Sequence, residues 1–160
     1  MYNIFLIQGN DMIEIGRYDP REDKEALKEL FDDFNNNISY FPVPKEQFER
    51  ELNLRVLDLQ YRNSMITAKE NGKLVGFGTF TVFIDYLGNK HALIHQVMTR
   101  KEDSFKKGIE NLILEELQKY VGRALKTDKF YYRCPDKDSN MRSLLLKLNQ
   151  KKSNFFWYEN

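Results

Sequence analysis

The dipeptide Asn71-Gly72 constrains the fold of this chain more than any other feature of its sequence. It joins two segments with a hydrophobic period of two, residues 64–70 and residues 73–85. Asn-Gly readily adopts the two positive φ angles of a type I′ turn, which matches the twist of a two-residue β-hairpin. A second turn at residues 87–90 leads into another strand pattern over residues 91–99. The centre of the chain is therefore predicted to be a three-stranded antiparallel meander.

Apolar residues at helical spacing flank this meander on both sides. Two helices are predicted before it, one running through Leu27 and Phe34 and the next from Lys45 onward. A long helix is predicted after it, starting near Phe105 and ending near Gly122, because glycine commonly follows the last turn of a helix.

Shorter segments complete the pattern. Strands are predicted over residues 4–7, 12–15 and 129–134, a short helix over residues 139–150, and an aromatic strand over residues 154–158. A helix between two strands of one sheet makes those strands parallel, whereas hairpins make them antiparallel. The order predicts an α+β domain around a mostly antiparallel sheet, with one parallel step across the long helix.

Length and charge limit the classes of protein that this chain can belong to. The 160 residues are predicted to form a single domain, with residues 1–10 as an added N-terminal strand. The 25 Lys and Arg residues nearly balance 24 Asp and Glu residues, so no net field favours nucleic acid. A lone cysteine, Cys134, cannot form an intramolecular disulfide, and no leader or membrane-spanning pattern is recognised. These features predict a cytoplasmic protein.

Several catalytic motifs do not occur. The sequence lacks a P-loop and a nucleophile elbow, and Gly76-Phe77-Gly78 lacks the third glycine of a dinucleotide-binding turn. His91 and His95 are four residues apart on a predicted strand, a span of roughly 13 Å. We therefore predict no shared metal site.

The connection from residues 91–99 into the long helix contains Lys106, Lys107 and Gly108. A strand that enters a helix through such a turn directs the unpaired N–H groups and the positive dipole end of the helix at the space before it. This arrangement predicts an anion site. The alternative is that both lysines are solvated and Gly108 only eases the turn, and the residues alone leave both interpretations open.

With this order of elements, the chain resembles the GCN5-related N-acetyltransferase (GNAT) family from Met12 onward. The segment Phe105-Lys-Lys-Gly-Ile-Glu110 stands where the family carries its pyrophosphate loop, R/Q-x-x-G-x-G/A, and residues 140–147 stand where it has N-x-x-A-x-x-x-Y. The resemblance implies that acetyl-CoA binds in a split between strand 91–99 and the following parallel strand. The cofactor-binding residues that it implies are Val97, Met98, Thr99, Phe105, Lys106, Lys107, Gly108, Ile109, Glu110, Asn140, Ser143 and Lys147.

Three positions depart from the family pattern. Phe105 replaces Arg or Gln, and Lys147 replaces the tyrosine that commonly protonates the CoA thiolate. Glu110 replaces a small residue, so its carboxylate faces the diphosphate unless it turns away. On that basis Glu110→Gly is expected to tighten CoA binding through relief of like-charge repulsion.

The resemblance also implies catalytic residues. Histidines on this strand can relay a proton from an amine, since a neutral imidazole suits that role. His95 and His91 are the candidates, and alternation predicts that both share one face with Val97. Tyr132 is the candidate acid, on the expectation that either it or Tyr131 reaches the cleft.

The activity that the resemblance implies is transfer of an acetyl group from acetyl-CoA to a primary amine by direct attack, with residues 35–45 lining the acceptor side. One alternative is a non-catalytic member that binds CoA or a partner protein. Another is an RNA-binding domain, which the neutral charge disfavours. Proteins rarely leave an edge such as the aromatic strand bare. A second copy of the chain would cover it, which predicts a homodimer, and the strand over residues 4–7 of the same chain is the alternative cover.

Overall fold

The computed structural model describes residues 4–8, 11–126 and 129–154. Within these residues the chain forms eight strands and four helices. The strands are β1 (Ile4–Gln8), β2 (Asp11–Arg17), β3 (Ile66–Glu70), β4 (Lys73–Gly78), β5 (Thr81–Ile84), β6 (Lys90–Ile94), β7 (Met98–Thr99) and β8 (Phe130–Tyr132). The helices are α1 (Lys24–Asn37), α2 (Lys45–Leu57), α3 (Ile109–Leu125) and α4 (Ser139–Lys147).

The strands form two sheets. Five strands pair antiparallel in the order β1-β2-β3-β4-β7, and three pair in the order β5-β6-β8. β5 and β6 are antiparallel, whereas β6 and β8 are parallel. The single parallel step predicted across the long helix is confirmed, and with it the α+β fold class.

The predicted hairpin turn at Asn71-Gly72 is confirmed. Asn71 has a φ of 49° and Gly72 a φ of 82°, so both turn residues adopt the left-handed conformations that a type I′ turn requires. The turn joins β3 to β4 and pairs Glu70 with Lys73. The second hairpin, between β5 and β6, is also present.

The two long strands predicted for this region are each broken. Residues 73–85 divide into β4 and β5, and residues 91–99 divide into β6 and β7. Because β4 pairs with β7 and β5 with β6, both breaks fall where the chain passes from one sheet to the other. The prediction of continuous strands was wrong here, since the alternating pattern continues through both breaks and carries no local signal of them.

Side chains from outside the meander bind the backbone at the first break. The guanidinium of Arg55 donates to the carbonyl oxygen of Phe80 at 2.6 Å and to Oγ1 of Thr81 at 2.9 Å. The N–H of Val82 donates to Oη of Tyr61 at 3.0 Å. The bonds to the carbonyl of Phe80 and from the N–H of Val82 satisfy backbone groups that a continuous ladder would otherwise pair.

Helix α3 begins and ends later than predicted. It starts at Ile109 rather than near Phe105, and it continues through Gly122 to Leu125, where Lys126 adopts a left-handed φ of 51°. Gly122 faces open space, so nothing at that position stops the helix. Propensity was overridden here by packing along the whole apolar face of α3.

The glycines of β4 allow α3 to approach the first sheet closely. A Cβ atom at Gly76 would lie 2.6 Å from Cγ2 of Ile109, and one at Gly78 would lie 2.5 Å from Cγ2 of Ile113. Both isoleucines are fully buried. The Gly76-Phe77-Gly78 segment therefore serves helix packing, which positions the N-terminus of α3 beside β7.

Helices α1 and α2 cover the opposite face of the first sheet through a second buried cluster that includes Leu27, Leu30 and Phe77. Within the described ranges, no helix is long and apolar enough to cross a membrane. The predicted aromatic strand over residues 154–158 lies outside the described residues except for Asn154.

Candidate functional site

A cavity opens where the two parallel strands separate. β6 and β8 pair as far as Ile94 and Tyr132, and the N–H of Arg133 donates to the carbonyl of Ile94 at 2.9 Å. Beyond that point the chain leaves β6 and pairs with β4 as strand β7. The cavity is lined by residues from α1, the α1–α2 loop, the second break, β7, the α3 entry, the β8–α4 connection and α4: Phe34, Ile38, Tyr40, His95, Gln96, Val97, Thr99, Ser104, Phe105, Glu110, Arg133, Pro135, Asp138 and Met141.

The second break changes the phase of side-chain alternation. Ala92 and Ile94 are buried on β6, but after the break the buried residues are Val97 and Thr99. Ile94 and Val97 are three residues apart, whereas side chains on one face of a continuous strand are separated by an even number of residues. The prediction that Val97 shares a face with His91 and His95 was wrong, because Val97 packs in the core.

His95 lies in this break and borders the cavity, with its side chain exposed. Desolvation lowers its pKa below the ordinary 6.5, and the positive charges of Arg133 and Arg55 lower it further. Both effects favour the neutral form of the imidazole, which is the form that can accept a proton.

His91 lies elsewhere, at the start of β6. Its Nε2 is 2.9 Å from Oδ2 of Asp85, and its ring stacks on Phe83 with a centroid distance of 4.8 Å. Hydrogen bonds from His91, Asn89 and the turn backbone hold the pKa of Asp85 well below its usual range. His91 thus belongs to the β5–β6 hairpin and is not brought together with His95.

Tyr132 points towards α3. Its Oη accepts a hydrogen bond from Nε2 of Gln118, its ring packs against the core, and burial raises its pKa. Tyr131 lies on the other face, with its ring centroid 5.7 Å from that of His91. Neither tyrosine is among the described residues that line the cavity.

The entry to α3 is organised around Glu110. Its carboxylate has turned inward, where Oε1 accepts hydrogen bonds from Oγ1 of Thr99 at 3.0 Å and from the N–H of Phe105 at 2.8 Å. Phe105 adopts a left-handed φ of 56° to present that N–H. Of the two orientations left open by the sequence, the carboxylate adopts the inward one, and it also fastens the loop to β7.

The remaining residues of the loop have separate roles. Lys107 is bound by Oε1 of Glu70 at 2.7 Å and Oδ1 of Asp103 at 3.0 Å, hydrogen bonds that raise its pKa. Lys106 is exposed. Gly108 caps α3 with a φ of 68°, and Ile109 is buried in the core. Of the two lysines predicted at the anion site, Lys106 therefore has the more accessible ammonium group.

Helix α4 presents two faces near the cavity. Asn140, Ser143 and Lys147 lie on one exposed face at helical spacing. Met141 borders the cavity, as does Asp138, whose Oδ1 caps the helix by accepting from the N–H of Met141 at 2.9 Å. In this part of the chain, the resemblance identified the exposed face of α4 and did not identify Asp138 or Met141.

The α1–α2 loop closes the cavity on the side predicted for the acceptor. Oε1 of Gln96 accepts from the N–H of Tyr40 at 3.3 Å, and the guanidinium of Arg133 lies 3.9 Å from the ring centroid of Phe41. Sequence reasoning missed Gln96 and Arg133. The signal for Arg133 is its position directly after a parallel strand, the edge where α/β sheets commonly bind ligands.

The comparisons agree with this architecture. No family model matches the sequence, and no curated protein does either. A ribosomal-protein-alanine N-acetyltransferase from Brucella melitensis has a TM-score of 0.69 at 17% identity, over 92% of this chain and 98% of that one. The aminoglycoside N-acetyltransferase AAC(6′)-Iy, solved with CoA, has a TM-score of 0.72 at 10% identity, over 97% and 99%. The protein yncA of Salmonella typhimurium, solved with acetyl-CoA, has a TM-score of 0.67 at 15% identity, over 85% and 78%.

These structures are GNAT-type acetyltransferases, and the chain has their fold. The resemblance stated from the sequence is therefore confirmed at the level of the fold.

Proposed function

We propose that this protein is an N-acetyltransferase that uses acetyl-CoA to acetylate a primary amine. The observation that carries the proposal is the cavity at the divergence of β6 and β8, with a neutral histidine, His95, at its border. The CoA and acetyl-CoA bound to proteins of the same fold support the choice of donor.

Direct transfer needs few side chains. The thioester lies in the split between residues 95–99 and the chain after β8, and His95 takes a proton from the ammonium group of the acceptor, directly or through a water. The amine nitrogen then attacks the thioester carbonyl, and an N–H near Val97 or Met98 stabilises the developing oxyanion. The new C–N bond forms as the C–S bond breaks, and the CoA thiolate leaves to collect a proton from solvent or a nearby acid.

The donor's other contacts are proposals of the same kind. Backbone groups from Val97 to Thr99 pair with pantetheine. Lys106 and the N–H groups at the start of α3, where the N-cap residue Gly108 provides no side-chain cap, face its diphosphate. Asn140, Ser143 and Lys147 contact the donor from α4.

The buried carboxylate of Glu110 favours the second candidate function, a member that keeps the fold without catalysis.

Thiol release separates the two functions. The protein should release free CoA from acetyl-CoA only in the presence of an amine, tested on a panel of a polyamine, an aminoglycoside and peptides with a free N-terminus. His95→Gln should lower kcat at least tenfold, because general base catalysis is typically worth about 10² to 10⁴. His91→Gln is the matched control and should retain activity.

Binding without turnover supports the non-catalytic alternative. Acetyl-CoA would then raise the melting temperature of the protein, as any ligand specific for the folded state does, while no amine released thiol. Absence of both effects would contradict the proposed function.

A further inference from the structure

A buried carboxylate occupies the N-terminal end of α3. Glu110 stands in the first turn of this 17-residue helix and its side chain is among the most buried in the protein, with 2% of the residue exposed. The same residue borders the cavity. A negative charge at this position is favoured by the positive end of the helix dipole.

Only one oxygen of that carboxylate is satisfied. Oε1 accepts from Thr99 and from the N–H of Phe105, whereas Oε2 has no hydrogen-bond partner among the described residues. The nearby lysine that could neutralise it, Lys107, is paired with Glu70 and Asp103 instead. The carboxyl group is thus held by one hydroxyl and one backbone donor, with one acceptor atom unused.

The Phe105 N–H and the first amides of α3 are the groups that would hold a bound anion at this end of the helix. Glu110 already accepts the hydrogen bond from the Phe105 N–H, and its carboxyl group lies beside the first amides of α3. A second anion entering the same position meets both a lost hydrogen bond and a like charge in a poorly hydrated site.

We propose that Glu110 is an internal anion that competes with the diphosphate of the acyl donor, and that it thereby determines donor specificity. This inference rests on the proposed function, since it assumes that a CoA thioester is the donor. It follows that the diphosphate adds little to donor affinity. A thioester of pantetheine, which lacks the diphosphate and nucleotide, should bind within about tenfold of acetyl-CoA.

The substitution Glu110→Gln isolates the charge. Its side-chain oxygen retains the bonds from Thr99 and Phe105, so the loop stays fastened, and its NH₂ group replaces the unpartnered Oε2 with a donor. Glu110→Gly is less informative, because it also removes the two hydrogen bonds that anchor the loop. Glu110→Gly, the variant predicted from the sequence, therefore changes the charge and the loop anchor at the same time.

Isothermal titration with acetyl-CoA and S-acetylpantetheine provides the measurement. We expect Glu110→Gln to bind acetyl-CoA about tenfold more tightly at low ionic strength, and to bind S-acetylpantetheine within twofold of the unmodified protein. Glu102→Gln, which removes an exposed carboxylate from the same loop, is the matched control and should change neither affinity.

An unchanged or weaker affinity of Glu110→Gln for acetyl-CoA would overturn the inference, as would equal tightening of both donors. If that variant does not fold, the unmodified protein decides: acetyl-CoA should bind less than about tenfold more tightly than S-acetylpantetheine, and a ratio above that would overturn the proposal. Tightened binding without amine-dependent thiol release in either protein would instead refute the proposed activity and leave the role of Glu110 standing.

Discussion

At the scale of single residues, the charge state of His95 decides what the cavity can do. Its surroundings disfavour the imidazolium ion, because desolvation and the guanidinium groups of Arg133 and Arg55 all penalise a positive charge. Arg55 is engaged at the first strand break, whereas Arg133 borders the cavity with His95. Removal of Arg133 therefore tests this electrostatic account and leaves the contacts of Arg55 at the first break in place.

The pKa of His95 should lie below 6.5 and should rise in Arg133→Gln, because removing a nearby positive charge favours the protonated form. Proton NMR of the imidazole C–H signals measures this directly, since the chain has only 2 histidines and His95→Gln assigns the signals. The acid limb of the kcat/KM profile should move to higher pH in the same variant. A pKa that is unchanged or falls in Arg133→Gln would contradict this account.

At the scale of elements, the contact between α3 and β4 fixes where the helix presents its first turn. Gly76 and Gly78 leave no room for a side chain between the strand and Ile109 or Ile113. This close packing of α3 on β4 places the first turn of the helix, which contains Glu110, next to β7. The hydrogen bond from Thr99 to Glu110 depends on that approach.

Gly78→Ala should destabilise the fold by about 1 to 3 kcal/mol, because overpacking a well-filled core forces side chains from their rotamers. Its Cβ would lie 2.5 Å from Cγ2 of Ile113, a side chain that is fully buried. Urea unfolding measures the change as a shift in midpoint at constant slope.

Gly122→Ala is the matched control within α3. This glycine lies in the helix with open space around its Cβ position, so alanine should stabilise the protein by roughly 0.5 to 1 kcal/mol. If both substitutions changed the free energy of unfolding equally, the close contact at Gly78 would not be the cause of the destabilisation.

At the scale of the whole molecule, the break between the two sheets creates the cavity and also leaves apolar surface at the far end. The β5–β6 hairpin exposes Ile84, Tyr86 and Leu87, and Tyr131 is exposed on the neighbouring strand. Exposed apolar surface of this size commonly contributes to an interaction site.

We predict that the protein is a homodimer, as the aromatic residues 155–158 indicate. Multi-angle light scattering of the full chain should give twice the chain mass of 19.2 kDa at micromolar concentration. The mass should fall towards the monomer value on dilution if the interface is of modest size. A single species of one chain mass at high micromolar concentration would contradict the prediction.

The elements predicted correctly are those with a strong local signal. Asn71-Gly72 specifies its hairpin because few other dipeptides tolerate two positive φ angles, and Leu27, Leu30, Phe31 and Phe34 specify α1 because they form one apolar stripe. The parallel step follows from placing a helix between two strands of one sheet. For the site, the sequence placed His95 and the entry to α3 near each other through the family resemblance.

The remaining features depend on partners distant in sequence. The two strand breaks arise because β4 pairs with β7 while β5 pairs with β6, and the resulting phase change turns Val97 into the core. Glu70, 37 positions before Lys107, decides that this lysine is engaged, and Thr99 decides that Glu110 turns inward. Local propensity determined which elements this chain forms. Long-range packing and pairing determined where those elements end and which side chains reach the cavity, because only the tertiary fold brings hydrogen-bond and ion-pair partners together.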